Sequence, residues 1–249
     1  MDLKDRVTLV AGGTGVLGIA IARALAKAGS HVVITFLERK AAAKETCAAV
    51  EGLGRKAWSV ALDQTDVTAI PAAVKAAAGH FGRLDALVNN AGWNIAIPFP
   101  DLEALDAATW DRLFATNLRG PYLLCRAAAP YLKASGSGRI VNIASVAGLN
   151  PGGSSIGYAT SKAGLIHLTR CLAVALAPEV SVNCVAPGLM EGTRMTSRLR
   201  PETAEGARQR AVLKRAASVD DVADQVVAFC RSDSVTGQVL NIDAGVFFH

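Results

Sequence analysis

The sequence predicts an α/β protein with a doubly wound, mainly seven-stranded parallel sheet and helices on both faces. Three observations predict it. Short apolar runs alternate with helical stretches along nearly all of the 249 residues. The apolar runs are almost uninterrupted, as strands buried on both faces require. The links are short, with no Ser/Pro-rich linker and no internal repeat. Right-handed crossovers then give the Rossmann-type arrangement.

In chain order, Val7–Val10 reads as a first strand and Ile19–Ala28 as a helix. His31–Phe36 is a β-branched strand, and Ala41–Gly52 a helix ending in glycine. Lys56–Leu62 fits a strand and Pro71–His80 a helix with proline near its start. Leu84–Asn89 is a strand. The helical region Ala107–Ala134 contains Gly120-Pro121, which marks a kink or break. Arg139–Ala144 is a strand, Tyr158–Ala177 a long Ala/Leu-rich helix and Val180–Val185 a strand. Val219–Cys230 is a helix and Val239–Asp243 a last strand. Residues 1–249 thus read as one dinucleotide-binding domain. The polar, aperiodic stretch 190–214 reads as a substrate lid after a strand's carboxyl end.

Composition narrows the function. Half the residues are apolar and the formal net charge is +5, so disorder is excluded. The basic residues are scattered, with the densest group between Arg194 and Arg215. This argues against nucleic acid and suits a phosphate-bearing ligand. Cys47, Cys125, Cys171, Cys184 and Cys230 are odd in number, widely spaced and form no CxxC pair. Neither a metal site nor a disulfide framework is expected, and reduced thiols suit a cytoplasmic protein. Residues 1–30 resemble a signal peptide in outline, but Gly12, Gly13, Gly15 and Gly18 interrupt the apolar run. No other stretch is apolar and long enough for a bilayer.

The chemistry gathers at a few places. Gly12-Gly13-Thr14-Gly15-Val16-Leu17-Gly18 joins the first strand to the first helix. Glycines let the backbone approach a pyrophosphate, and the helix N-terminus offers free N–H groups. The second strand ends in Phe36-Leu37-Glu38-Arg39-Lys40. Its end lacks the acid that often binds a ribose 2′-hydroxyl, while Arg39 and Lys40 suit a 2′-phosphate. NADP(H) is therefore favoured, and NAD(H) stays open through Glu38. Tyr158 and Lys162 are four residues apart on a predicted helix, hence on one face. A nearby ammonium favours the phenolate and tunes an acid–base group. Ser145 follows an apolar strand at the edge where such sheets form sites, and its hydroxyl suits a substrate carbonyl. Asn117 is a poor helix-interior residue and marks either a distorted turn or a break.

Together these motifs resemble the short-chain dehydrogenase/reductase family in its single-domain form, near its 3-oxoacyl-carrier-protein-reductase-like members. The resemblance spans nearly the whole chain. It also draws on Asp63, Asn89-Asn90-Ala91-Gly92, Asn183, Pro187-Gly188 and Thr236-Gly237-Gln238. It implies that Tyr158 is the general acid in reduction and the base in oxidation. Lys162 would lower the Tyr158 pKa and bind the nicotinamide ribose. Ser145 would polarise the carbonyl, and Asn117 would hold a relay water. The cofactor set implied is Gly12, Thr14, Gly15, Leu17, Gly18, Arg39, Lys40, Asp63, Gln64, Asn89, Ala91, Gly92, Tyr158, Lys162, Pro187, Gly188, Met190 and Thr193. Asp63 would meet the adenine, and Asn90 would be structural. Two departures stand out. Ala11 and Val16 replace the family's Thr and middle Gly, and Thr193 comes one residue late. Substrate-facing candidates are Trp93, Asn94, Val146, Asn150 and Ile156. The substrate is a small carbonyl or alcohol. The family habit is a homodimer or homotetramer through the Tyr158 and Asn117 helices. Two other readings remain: a non-catalytic cofactor-binding regulator, and an epimerase or dehydratase with a transient hydride.

Overall fold

A computed structural model describes residues 1–193, 196 and 201–248. Its seven parallel strands lie in the order β3-β2-β1-β4-β5-β6-β7. They are β1 Val7–Ala11, β2 His31–Phe36, β3 Ala57–Ala61, β4 Ala86–Asn89, β5 Gly138–Ile143, β6 Val180–Pro187 and β7 Val239–Ile242. The helices are α1 Val16–Lys27, α2 Lys40–Glu51, α3 Ala69–Phe81, α4 Ala107–Phe114, α5 Gly120–Ala134, α6 Ile156–Ala175, α7 Pro201–Arg210 and α8 Val219–Arg231. The order reverses between β1 and β4, the switch point where such sheets open a crevice at their carboxyl edge.

Alternation along each strand builds two cores. Val10, Ile34, Val88, Val141 and Val185 pack with Ile21 and Leu25 of α1 and Val222 and Val226 of α8. Their neighbours Leu9, Val33, Leu87, Ile140 and Val182 face the other way. These meet Ile70 and Val74 of α3, Leu124 and Leu132 of α5, and Leu172 of α6. Strands lined on both sides read as continuous apolar runs for this reason.

Three readings of the sequence change. Helix α1 begins at Val16 rather than Ile19, because Gly15 and Gly18 belong to its N-cap and first turn instead of interrupting it. The irregularity in 107–134 precedes Gly120-Pro121. It is a π-helical turn, Ala115–Arg119, and Gly120 and Pro121 then open α5. The stretch 190–214 is not wholly irregular, since it contains α7. A helix so polar has no apolar periodicity to reveal it. Residues 194, 195 and 197–200 of that stretch, and His249 of the tail, lie outside the described residues. Among the described residues no helix is long and apolar enough to cross a membrane.

Candidate active site

Register collects the motifs. Ala11 of β1 pairs with Asn89 of β4, and Asn89 with Asn142 of β5. The glycine loop, the Asn-Asn-Ala-Gly turn and Ser145 therefore leave the sheet side by side.

The glycine loop is shaped by contacts that admit no side chain. Gly12 has φ +74°, and a Cβ there would lie 2.8 Å from Ala91 Cα. A Cβ on Gly18 would lie 2.3 Å from the Gly12 carbonyl oxygen. A Cβ on Gly15 would meet only the Gly12 carbonyl oxygen, at 4.0 Å, and Gly15 caps α1 with no side-chain hydrogen bond, so the first N–H groups of α1 are unused by a cap. Asn90 ties the two loops by donating to the Gly12 carbonyl at 2.9 Å. The hydroxyl lost with Ala11 has a counterpart in Thr35 of β2. Its Oγ1 accepts from Gly12 N at 3.1 Å, and its carbonyl accepts from Gly13 N. Arg39, at the N-cap of α2, reaches back and donates to the Thr14 carbonyl at 2.9 Å. It and Lys40 are exposed beside the loop; Thr14 and Leu17 are buried in it.

Two assigned cofactor contacts turn inward. Gln64 Nε2 donates to the carbonyls of Ala91 at 3.2 Å and Thr116 at 2.6 Å, pinning the turn to the π-helical segment. Asn89 donates to Asn142 Oδ1 at 2.8 Å and to Cys125 Sγ at 3.2 Å. Asn142 in turn donates to Thr169 of α6, so a buried polar chain links β4, β5 and α6. Asp63 is exposed and accepts from the Thr65 backbone and hydroxyl. Gly92 follows Ala91 in the turn. Gly188 donates to the Ile242 carbonyl, and Asp243 leaves no room for a side chain there. The Thr193 hydroxyl is engaged with the Met190 carbonyl and Thr196, inside its own loop.

The four expected catalytic residues meet at the start of α6. Ser155 caps this helix, accepting from Tyr158 N at 3.2 Å, and so sets the turn that carries Tyr158. Ser145 accepts from Ala147 N and opens the 3-10 turn Val146–Gly148. Its side chain lies near enough to the Tyr158 phenol to lower the pKa of that group. Lys162 is 3% exposed and donates to the Ile143 carbonyl at 2.8 Å. Its ammonium lies 5.9 Å from the centre of the Tyr158 ring. Burial pushes Lys162 down to about 8. Burial pushes the Tyr158 phenol up, and Ser145 pulls against it. The net shift of Tyr158 runs against the expected lowering, because removing the phenolate from water is its largest cause. The Lys162 ammonium donates to the Ile143 carbonyl.

Asn117 sits in the π-helical turn with no exposure. Its Oδ1 accepts from Trp93 N at 2.9 Å; its Nδ2 donates to the Trp93 carbonyl at 2.9 Å and to Ser161 Oγ at 3.1 Å. The amide is thus committed to holding Trp93 and Ser161. Trp93 packs with Leu113, Ala147 and Tyr158. Val146 and Asn150, which follow Ser145, and Ile156, two residues before Tyr158, are half-buried, as is Asn94 after Trp93. Ile97 N donates to the Ser154 carbonyl and closes the two walls on each other.

Sequence reasoning missed Thr35, Ser155, Ser161 and Arg112. Ser155 had a signal, as a serine just ahead of a long helix. Arg112, whose guanidinium lies 4.2 Å over the Trp93 ring, had none.

A family model described as short chain dehydrogenase matches residues 6–204. A putative ketoacyl reductase 2 of the granaticin polyketide synthase of Streptomyces violaceoruber is 39% identical, covering 96% of this chain and 95% of its own. The crystal structure of an NADPH-dependent 3-quinuclidinone reductase from Rhodotorula rubra superposes with a TM-score of 0.90 at 28% identity, covering 98% and 92%. An NAD+-bound xylitol dehydrogenase gives 0.90 at 27%, covering 98% and 100%.

Proposed function

The chain belongs to the short-chain dehydrogenase family and is an NAD(P)-dependent oxidoreductase; from that premise we propose that it is an NADP(H)-dependent ketone reductase or secondary-alcohol dehydrogenase, with Tyr158 as its proton donor and acceptor. The observation that carries this reading is the convergence of Tyr158, Ser145 and Lys162 at one point. The glycine loop lies at the same sheet edge.

The residues present fit a dinucleotide. The uncapped N-terminus of α1 and the room left at Gly15 suit a pyrophosphate. Gly12, Gly18 and Ala91 would form the cradle, and Asp63 the adenine edge. Pro187, Gly188, Met190 and Thr193 would border the nicotinamide end. When bound, the cofactor supplies or takes the hydride. Arg39 and Lys40 favour NADP(H), since β2 ends without an acid and Arg39 already lies across the loop. Similar structures include an NADPH-dependent reductase and an NAD+-bound dehydrogenase, so the preference rests on Arg39 and Lys40.

In reduction, Ser145 donates to the substrate carbonyl and draws electron density to its oxygen. Tyr158 then gives that oxygen its proton. Its raised pKa keeps the acid loaded. The phenolate left behind is stabilised by the Lys162 ammonium, whose pull is strong in a site so dry. With a value of about 8, Lys162 keeps its proton at neutral pH. Asn117 acts as a positioning residue through Trp93. We take residues 1–249 as one domain and 190–214 as the substrate lid, because the stretch follows β6 at the carboxyl edge. A homodimer or homotetramer follows family habit. The apolar groove of Phe114, Leu118, Tyr122, Gly164 and Leu168 between α5 and α6 supports it.

The test is turnover of a ketone panel with NADPH. Tyr158→Phe should lower kcat by about a hundredfold or more while cofactor binding persists. Full activity in that variant sinks the proposal, and cofactor binding with no turnover by the wild type would favour a regulator.

A further inference from the structure

We propose that Arg112 selects substrates bearing an anionic group remote from the reacting carbonyl. This deepens the reductase reading and rests on Tyr158 as the place where the carbonyl sits. Arg112 is exposed on α4, and its guanidinium carbon lies 4.2 Å over the Trp93 ring. It makes no ion pair with any carboxylate among the described residues. A stacked guanidinium is held by its face and keeps its in-plane N–H groups for a second partner. That geometry suits a carboxylate or phosphate taken edge-on.

The platform under Arg112 is rigid and belongs to the site. The backbone of Trp93 is clamped at both N and O by Asn117. Its ring shares an apolar cluster with Tyr158, Leu113 and Ala147. Helix α4 is pressed against the Tyr158 turn, because a side chain on Gly157 would strike Leu113 at 2.7 Å. A substrate whose carbonyl meets Tyr158 and whose body lies along Trp93 therefore ends beside a cation that no described contact pairs with a carboxylate. An anionic terminus there gains a charge-assisted pair, and a neutral terminus gains none.

The experiment compares matched acid and amide ketones: 4-oxocyclohexanecarboxylate with its carboxamide, levulinate with levulinamide, and acetoacetate with acetoacetamide. The wild type should favour the acid in at least one pair by about tenfold or more in kcat/KM, mostly through KM. In Arg112→Gln the ratio should fall to about one, and Arg112→Lys should recover part of it. Calorimetric titration with cyclohexanecarboxylate and cyclohexanecarboxamide measures the same selectivity without turnover. Arg112-dependent binding of the acid alongside no reduction of any ketone would refute the reductase reading, and substrate selection with it, while upholding Arg112 as an anion site. No acid preference in turnover or binding, or the same preference kept by Arg112→Gln, overturns it.

Discussion

At Tyr158 two effects oppose each other, and burial wins. The phenol is pushed up and the neighbouring lysine down, so both shifts run toward the neutral forms, although Lys162, at about 8, still holds its proton at neutral pH. A site arranged this way holds its proton on tyrosine until a carbonyl oxygen takes it. Cofactor choice also belongs to single residues. Among the described residues the Arg39 side chain hydrogen-bonds only a backbone carbonyl of the loop, a contact it can exchange for a phosphate. Arg39→Ala should lower the kcat/KM preference for NADPH over NADH by about tenfold. Steady-state kinetics with both cofactors check this, and an unchanged ratio would remove Arg39 from the site. That Tyr158, Lys162 and Ser145 lie near one another was legible in the sequence, through a regular spacing and a strand end. The inward hydrogen bonds of Gln64 and Asn89 were not. An amide reads the same in sequence whether it faces a ligand or a backbone carbonyl, and only the fold decides which partner is nearer.

Helix starts govern the site at the next scale. The Ser155 hydroxyl caps α6 on the amide of Tyr158 itself. Ser155→Ala should cost about 1 kcal/mol. For a chain of this size that lowers Tm by about 2–4 °C. It should also lower kcat, since the first turn of α6 carries the phenol; a fall in Tm with kcat untouched would separate cap from catalysis. At α1 the contact between Gly18 and the Gly12 carbonyl brings loop and helix together. Gly18→Ala should strain that contact by about 1–3 kcal/mol and weaken NADPH binding, as read by calorimetry. Unchanged affinity would mean that the loop is not the phosphate cradle. The π-helical turn around Asn117 was foreshadowed only by an awkward asparagine. Its cause is non-local: the amide is drawn to Trp93 and Ser161, and Gln64 holds the Thr116 carbonyl. The polar helix α7 was hidden for the opposite reason, as it buries no periodic apolar face.

Buried titrating groups set the pH response of the whole molecule. Lys162 is depressed to about 8 from an ordinary 10.5. Between these values the unfolded chain holds a proton that the folded one has lost, so stability rises with pH. Burial pushes Cys125, Cys184 and Cys230 up to about 12 from 9.0. Above 9 the unfolded chain loses protons that the folded one keeps, and stability falls; Tyr158 adds to that fall at higher pH. Three thiols outweigh one lysine. Thermal unfolding should therefore show Tm rising from about pH 8 to a maximum near pH 9 and then declining. In Lys162→Met the rise should vanish; a wild-type Tm that declines steadily from pH 7 would contradict this account. On the acid side, burial alone would raise Asp85, but Arg83, Val7 N–H and Arg6 hold it low. Its contribution is lost as pH falls through that lowered value.

By itself the sequence determined the layered α/β architecture, the order of its elements and the residue types brought to the sheet's carboxyl edge. These follow from periodicity, glycine spacing and strand length, which are properties of neighbours along the chain. Tertiary structure alone decided the direction in which Tyr158 titrates, the inward turn of Gln64 and Asn89, and the stacking of Arg112 on Trp93. Each depends on how much water is excluded and which distant group lies closest. Those quantities exist only once β1, β4, β5 and α6 have come together.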